Sequence, residues 1–362
     1  MGETTDEGLK DIATTLSALL RALHVLEFVD RHLDPEQLPD VLQAVGTPDD
    51  ALRAALADFD PGERQEDAFI PIRTQIARAA DAALAGFDGL RAAVAQMDIR
   101  GAYRALRRES LALETLYPLT TLLSPVDAFF LEEDQRADIV LREQLATPAA
   151  HTGVIHAENA SGQRGGFSLY VPENYRPETA HNLIVALHGG SGHGRQFLWN
   201  WVRIARSRGL IVVAPTAIGS TWALAGPDMD SPNIQRILDF VRARWNIAPD
   251  KLLLTGMSDG GSFTLLSGLQ SDSPFTHLAP FAAGFHPLMA EMADGTRARG
   301  LPIYLVHGAL DWMFPVELAQ TAQRMLTFIG TRLTYREVPD LAHVYPRDEN
   351  AALLDWFLDT PR

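Results

Sequence analysis

Three short stretches of this chain carry side chains suited to making and breaking an acyl bond. The first is Gly256-Met257-Ser258-Asp259-Gly260-Gly261, which follows the apolar run Lys251 to Thr255 and precedes an apolar stretch from Phe263 through Leu266. Glycines two before and two after a serine fit a tight, strained strand-to-helix turn, because side chains at those positions would collide. Such a turn holds Ser258 Oγ clear of the strand, at a helix N-terminus whose dipole and free amides favour negative charge. A serine placed there is inert without a base, and eleven histidines compete for that role. The run 302–306 leads into His307-Gly308-Ala309-Leu310-Asp311, and the run 333–338 leads into Pro339-Asp340-Leu341-Ala342-His343. Each delivers one group just past a strand's carboxyl end, a carboxylate in one case and an imidazole in the other. Ser258 then reads as nucleophile, His343 as general base, and Asp311 as the group that fixes the ring's tautomer and stabilises its charged form.

The same chemistry needs donors for a developing oxyanion. The run Leu183 to Leu187 passes directly into His188-Gly189-Gly190-Ser191-Gly192-His193-Gly194, a glycine-rich loop able to aim backbone N–H groups at a substrate oxygen. The expected pair is the N–H of Gly190 and the N–H of Asp259. A phosphate loop is the other use of such glycines, but its lysine is missing here, and His188 and His193 have no carboxylate cluster that would make them metal ligands. No metal is therefore expected. Among rivals, Asp340 precedes His343 within one loop and reads as a turn-shaping residue, Asp228 and Asp230 lie in a polar loop with no strand before them, and His286 and His307 read as structural.

These groups must be positioned by a scaffold, and the hydrophobic pattern divides it in two. Apolar residues from Leu9 to His32 recur at the spacing of one helix face, and similar patterns recur near 35–45, 48–58, 66–97 and 101–117. Near Thr147-Pro148 the pattern changes to short apolar runs at 166–171, 183–187, 210–214, 251–255, 302–306 and 333–338, interleaved with helical stretches. Such alternation predicts an α/β domain with a mostly parallel sheet covered by helices on both faces, with its chemistry gathered at the carboxyl ends of the strands. The expected division is a helical domain over residues 1–148 and a catalytic α/β domain over 149–362.

Charge follows the same division. Of the formal −15, residues 1–150 carry 27 acidic and 14 basic side chains, a local −13. An acidic chain repels phosphate backbones and anionic lipid, so nucleic acid is excluded as an expected partner. There is no cysteine, which removes disulfides and thiol chemistry together. The N-terminal MGETTDEGLK lacks a basic start followed by an apolar stretch, and no consecutive apolar run approaches a membrane span, so the expected location is cytoplasmic.

On these residues the chain resembles the α/β-hydrolase superfamily, within it the phospholipase/carboxylesterase group that includes acyl-protein thioesterases and relatives of polyhydroxybutyrate depolymerases and feruloyl esterases. The stretches concerned are SLYVPENYRP (168–177), LIVALHGGSG (183–192), LLLTGMSDGGSF (252–263), VHGALDWMFP (306–315) and LAHVYP (341–346). The resemblance implies Ser258, Asp311 and His343 as the triad, Gly190 and Asp259 as oxyanion donors, Trp222 as a pocket residue, and neither metal nor organic cofactor. It implies a small-molecule ester as substrate, of short to medium acyl length, with thioesters, polyester fragments or lysophospholipids as variants. A catalytically idle domain used for binding stands as the reading from another class. The helical half departs from small members of the group. It is expected either to cover the carboxyl edge of the sheet or to serve stability or homo-oligomer formation.

Overall fold

The structure, a computed structural model, describes residues 2–59 and 69–361. It divides into two compact units, Met1–Phe130 and Leu131–Arg362. The first is all helical, with helices Gly2–Arg31, Leu38–Val45, Asp50–Ala57, Ile70–Gln96, Ile99–Leu116 and Ser124–Phe129. Positions 66–68 of the expected 66–97 helix lie outside the described residues. The core stripe of the first helix, Leu16, Leu19, Leu23 and Leu26, is buried, as are Ile76, Ala83, Phe87 and Leu90 on the fourth. The fourth and fifth helices approach closely at Gly89, where an added Cβ would lie 2.7 Å from Ala105 Cβ.

Within the first helix, Leu9–Arg31 is long and apolar enough to cross a membrane by length and composition, with a mean hydropathy of 1.5, and half of that stretch is buried. Polar residues such as His24 and Glu27 interrupt it, so it holds no unbroken apolar run of that length, and its apolar side chains fall on one helix face.

The second unit holds one eight-stranded sheet. Its strands are β1 (Gly153–Ala157), β2 (Phe167–Val171), β3 (His181–Leu187), β4 (Ile211–Pro215), β5 (Ile247–Met257), β6 (His277–Phe281), β7 (Pro302–Gly308) and β8 (Arg332–Val338). They lie in the order β1-β2-β4-β3-β5-β6-β7-β8. The pairs β1/β2 and β2/β4 are antiparallel and all others parallel. β3 and β5 are wholly apolar at their centres and lie side by side, with Leu187 opposite Gly256, so the loops that follow them emerge as neighbours. β7 and β8 end together in the same way, Gly308 opposite Val338.

Two strands, β1 and β6, are absent from the sequence expectation. β6 reads HLAPF, and a proline inside a run argues against a central strand. The structure accommodates it by interrupting the ladder: β6 is in register with β7 at Leu278 and Phe281, on either side of Pro280. β1 is a half-exposed edge strand of five residues, too short to show a clear alternation. The division between units also falls earlier than the change of pattern near 148. Residues 131–148 go with the sheet because Glu132 ion-pairs with Arg208 at 2.9 Å, its N–H donates to Ser207 Oγ at 2.8 Å, and Ala149 N–H donates to Glu173 O. A change of period marks a change of element type, whereas membership of a unit depends on which core the segment joins.

Candidate active site

β5 ends at Met257 and the helix Asp259–Gly268 begins two residues later, leaving Ser258 alone in the turn. Its φ of 57° and ψ of −120° lie in a region that L-residues rarely adopt, and its N–H is held by Phe281 O at 2.9 Å. The flanking glycines have no alternative. A Cβ on Gly256 would fall 2.5 Å from the Gly260 backbone, and one on Gly260 would fall 2.5 Å from His188 O. These contacts press the turn against the end of β3, which places the glycine loop beside the serine: a Cβ on Gly189 would lie 3.5 Å from Ser258 Cβ.

The other two groups arrive from the paired ends of β7 and β8. Ala309 N–H donates to Val338 O and Leu310 N–H to Leu341 O, at 2.9 and 3.0 Å, which zips the two loops together. Gly308 permits this, since a Cβ there would lie 2.1 Å from Leu341 O. His343 Nδ1 then lies 2.8 Å from Asp311 Oδ2, and Nε2 lies 3.0 Å from Ser258 Oγ. With Nδ1 facing a carboxylate, the proton sits on that nitrogen and Nε2 presents a lone pair to the hydroxyl. Asp311 is held in turn by the N–H groups of Met313 at 2.9 Å and Phe314 at 2.7 Å, both on Oδ1. The Phe314 ring meets the imidazole edge-on at 5.3 Å. Beyond His343 the loop is anchored by Tyr345, whose hydroxyl donates to Asn350 Oδ1 at 2.7 Å and whose ring packs on Phe281 and Phe197. Ser258, Asp311 and His343 are all less than a tenth exposed.

The structure thus brings together the three side chains singled out in the sequence, and places Gly190 and Asp259 beside them. Trp222 is brought near but differently from the expectation of a pocket wall. It is 2% exposed, stacks on Phe263 at 5.6 Å, and donates from Nε1 to His188 O at 2.7 Å. It therefore braces the glycine loop from beneath. His188 does similar work, with Nδ1 at 2.6 Å from Gly189 O and Nε2 accepting from Ala217 N–H at 3.1 Å. His193 caps the short helix that follows, and burial pushes its imidazole below the ordinary value. His307 lies behind Asp311, its Nε2 at 2.7 Å from Phe314 O and 3.4 Å from Asp311 Oδ2.

Two residues of the site have roles that the sequence does not show: Asp230, weighed there only as a rival to Asp311, and Thr221. Asp230, fully buried at the start of the helix Asp230–Arg242, accepts from Ile218 N–H at 2.9 Å and Ala223 N–H at 2.8 Å, fixing the loop that carries Trp222. Thr221 donates from Oγ1 to Asp259 Oδ2 at 2.5 Å. Both contacts join segments through loops whose course no pattern prescribes. Among the described residues no group of three or more His, Asp or Glu is arranged so that it could hold a metal ion.

Residues 228–359 match the phospholipase/carboxylesterase family, a range that takes in Ser258, Asp311 and His343 and leaves out the glycine loop. Over that stretch, about a third of the chain, the sheet unit is similar to that family. Among curated proteins, the chain is 31% identical over 148 residues to a bifunctional acetylxylan esterase/xylanase of Neocallimastix patriciarum, covering 40% of this chain and 21% of that protein. It is 27% identical over 100 residues to acyl-protein thioesterase 1 of Gibberella zeae, covering 27% of this chain and 43% of that one. The chain thus spans less than half the length of either relative. Among solved structures, a thermostable esterase aligns over 58% of this chain and 62% of its own, with 21% identity and a TM-score of 0.47.

Proposed function

We propose that this protein is a serine carboxylesterase working through an acyl-enzyme on Ser258. The observation that carries the reading is the continuous chain from Ser258 Oγ through His343 to Asp311, with both links at or below 3.0 Å. In the first step Ser258 Oγ attacks the ester carbonyl while His343 Nε2 takes its proton. The imidazolium so formed is stabilised by Asp311, whose other oxygen is already tied to two backbone N–H groups and does not follow the ring's charge. Negative charge on the former carbonyl oxygen falls to the N–H groups of Gly190 and Asp259. Collapse of the tetrahedral species expels the alcohol, protonated by His343, and a water activated by the same nitrogen then releases the acid. Thioesters follow the same steps with a thiol as leaving group.

Leu310, Trp312 and Met313 stand on the loop that carries Asp311 and remain about two-fifths exposed. Apolar surface beside the triad favours an uncharged acyl or alkyl group over a polar one. A fluorophosphonate probe is expected to label the protein at Ser258, and p-nitrophenyl esters of rising acyl length to be hydrolysed with a maximum at short to medium chains. Absence of both labelling and turnover would overturn the reading.

A further inference from the structure

The residue after the serine sets a problem that the reaction itself does not explain. The backbone N–H of Asp259 is a proposed oxyanion donor, yet its side chain places a carboxylate against Gly190, the other proposed donor. A Cβ on Gly190 would lie 2.7 Å from Asp259 Oδ2, so that oxygen is in van der Waals contact with the residue proposed as the second donor. Its position is fixed, because Thr221 Oγ1 donates to the same oxygen at 2.5 Å. Among the described residues no arginine or lysine pairs with it, in contrast to Asp49, Glu173 and Glu349, each of which has a guanidinium partner. Arg164 donates from Nε and Nη1 to the carbonyls of Gly219 and Gly192, at 2.8 and 2.6 Å, and makes no ion pair with Asp259.

We infer that Asp259 sets the charge preference of the site. This rests on the esterase reading and deepens it to a substrate class: esters with a cation or a hydroxyl within reach of the carbonyl are accepted, and those with a carboxylate or phosphate there are rejected. Oδ2 is occupied by Thr221, which leaves Oδ1 to accept from a substrate O–H or to face a substrate cation. A partly buried negative charge next to the reacting carbonyl discriminates between opposite substrate charges by on the order of ten-fold or more. The same charge opposes the oxyanion, so the arrangement gives up some rate on every ester in exchange for selectivity.

The test uses three acetate esters of one shape: phenyl acetate, 4-acetoxybenzoate and 4-acetoxy-N,N,N-trimethylanilinium. The ratio of kcat/KM for the cationic over the anionic ester is measured in the wild type and in Asp259→Asn, which keeps the shape and an oxygen for Thr221. Intrinsic differences in leaving-group reactivity cancel when the two ratios are divided. Asp259→Asn is expected to lower the ratio by about ten-fold, chiefly by gaining on the anionic ester, and Thr221→Val to lower it part of the way. Raising the salt from low to high ionic strength is expected to lower the wild-type ratio too, a measurement that needs no variant. A wild-type ratio insensitive to salt, or one unchanged in a folded Asp259→Asn protein that still turns over phenyl acetate, overturns the inference alone. Failure of the wild type to hydrolyse any of the three overturns the esterase reading and this inference with it.

Discussion

The two units bury ionisable groups for opposite ends. In the helical unit Asp49 is fully buried and accepts from Arg53 Nε at 3.0 Å and from Arg91 Nη1 at 2.9 Å, while Arg53 reaches on to Asp88 at 2.6 Å. Within this network both carboxylates, Asp49 and Asp88, face guanidinium groups. In the sheet unit the chain from Asp311 to His343 to Ser258 joins residues 32 and 85 positions apart and ends on a hydroxyl mounted in a disfavoured conformation. One network closes on itself and adds only to stability. The other is left open at one end, where a substrate would complete it, and the surrounding glycines and strand ends hold its strain.

The largest expected effect separates the two at once. Ser258→Ala should lower ester turnover by about four to six orders of magnitude, with its unfolding transition in place, since Ala keeps the Cβ that the turn already tolerates. Asp311→Asn comes next, at roughly 10⁴-fold, because an amide cannot hold His343 in the required tautomer and stabilise its cation. Asp340→Asn, one loop away, should cost far less, and the reverse ranking would reassign the orienting carboxylate. Gly260→Ala tests the open network from the backbone side. Its Cβ would meet His188 O at 2.5 Å and Leu187 O at 2.6 Å, so the turn must shift. A loss of about 3 kcal/mol in stability and of about 10²-fold in kcat is expected, measured by urea unfolding and on p-nitrophenyl butyrate. A fully active, fully stable variant would mean the turn is softer than its contacts imply.

How much of this was legible in the sequence depends on how local the cause is. Ser258 between Gly256 and Gly260 is a local steric requirement, so the turn shows in six residues. Asp311 and His343 show because each ends a strand, and the ends of parallel strands in one sheet converge. The strand β6 does not show, since Pro280 argues against it and only the neighbours β5 and β7 supply the pairing that overrides that preference. The buried role of Trp222 does not show either, because it depends on where the loop 216–223 crosses His188. Thr221 and Asp230 fail for the same reason: their partners, Asp259 and the N–H groups of Ile218 and Ala223, lie across loops rather than along an element.

The smallest expected effects lie in acid, where the two units should lose stability in different windows. In the sheet unit His277 is fully buried, with its ring against Phe357 and Trp356, Nε2 donating to Thr360 O at 2.9 Å and Nδ1 accepting from Thr276. Burial pushes its imidazole down to about 4 from an ordinary 6.5. A histidine kept neutral when folded binds fewer protons than its unfolded counterpart between those values. Stability is therefore full above about 6.5, falls as pH drops toward about 4 by about 3 kcal/mol at most, and levels off below. In the helical unit the sign of the shift is also downward but the group is an acid. Burial pushes the Asp49 carboxyl up, and hydrogen bonds from Arg91, its own backbone and Arg53 outweigh this, leaving it below its ordinary 3.8. Its contribution is whole above that value and is lost only as pH falls through the lower, folded one. All six tryptophans lie between Trp199 and Trp356, in the sheet unit, so their fluorescence follows that unit alone, while ellipticity at 222 nm also registers the helices of the other. On acid titration the urea midpoint by fluorescence should begin to fall near pH 6.5, and Asp49→Asn should leave that limb untouched while abolishing a later loss of ellipticity below about pH 4. A fluorescence midpoint flat from pH 7 to 4.5, or an Asp49→Asn protein with an unchanged low-pH limb, would show that neither buried group governs its unit's response to acid.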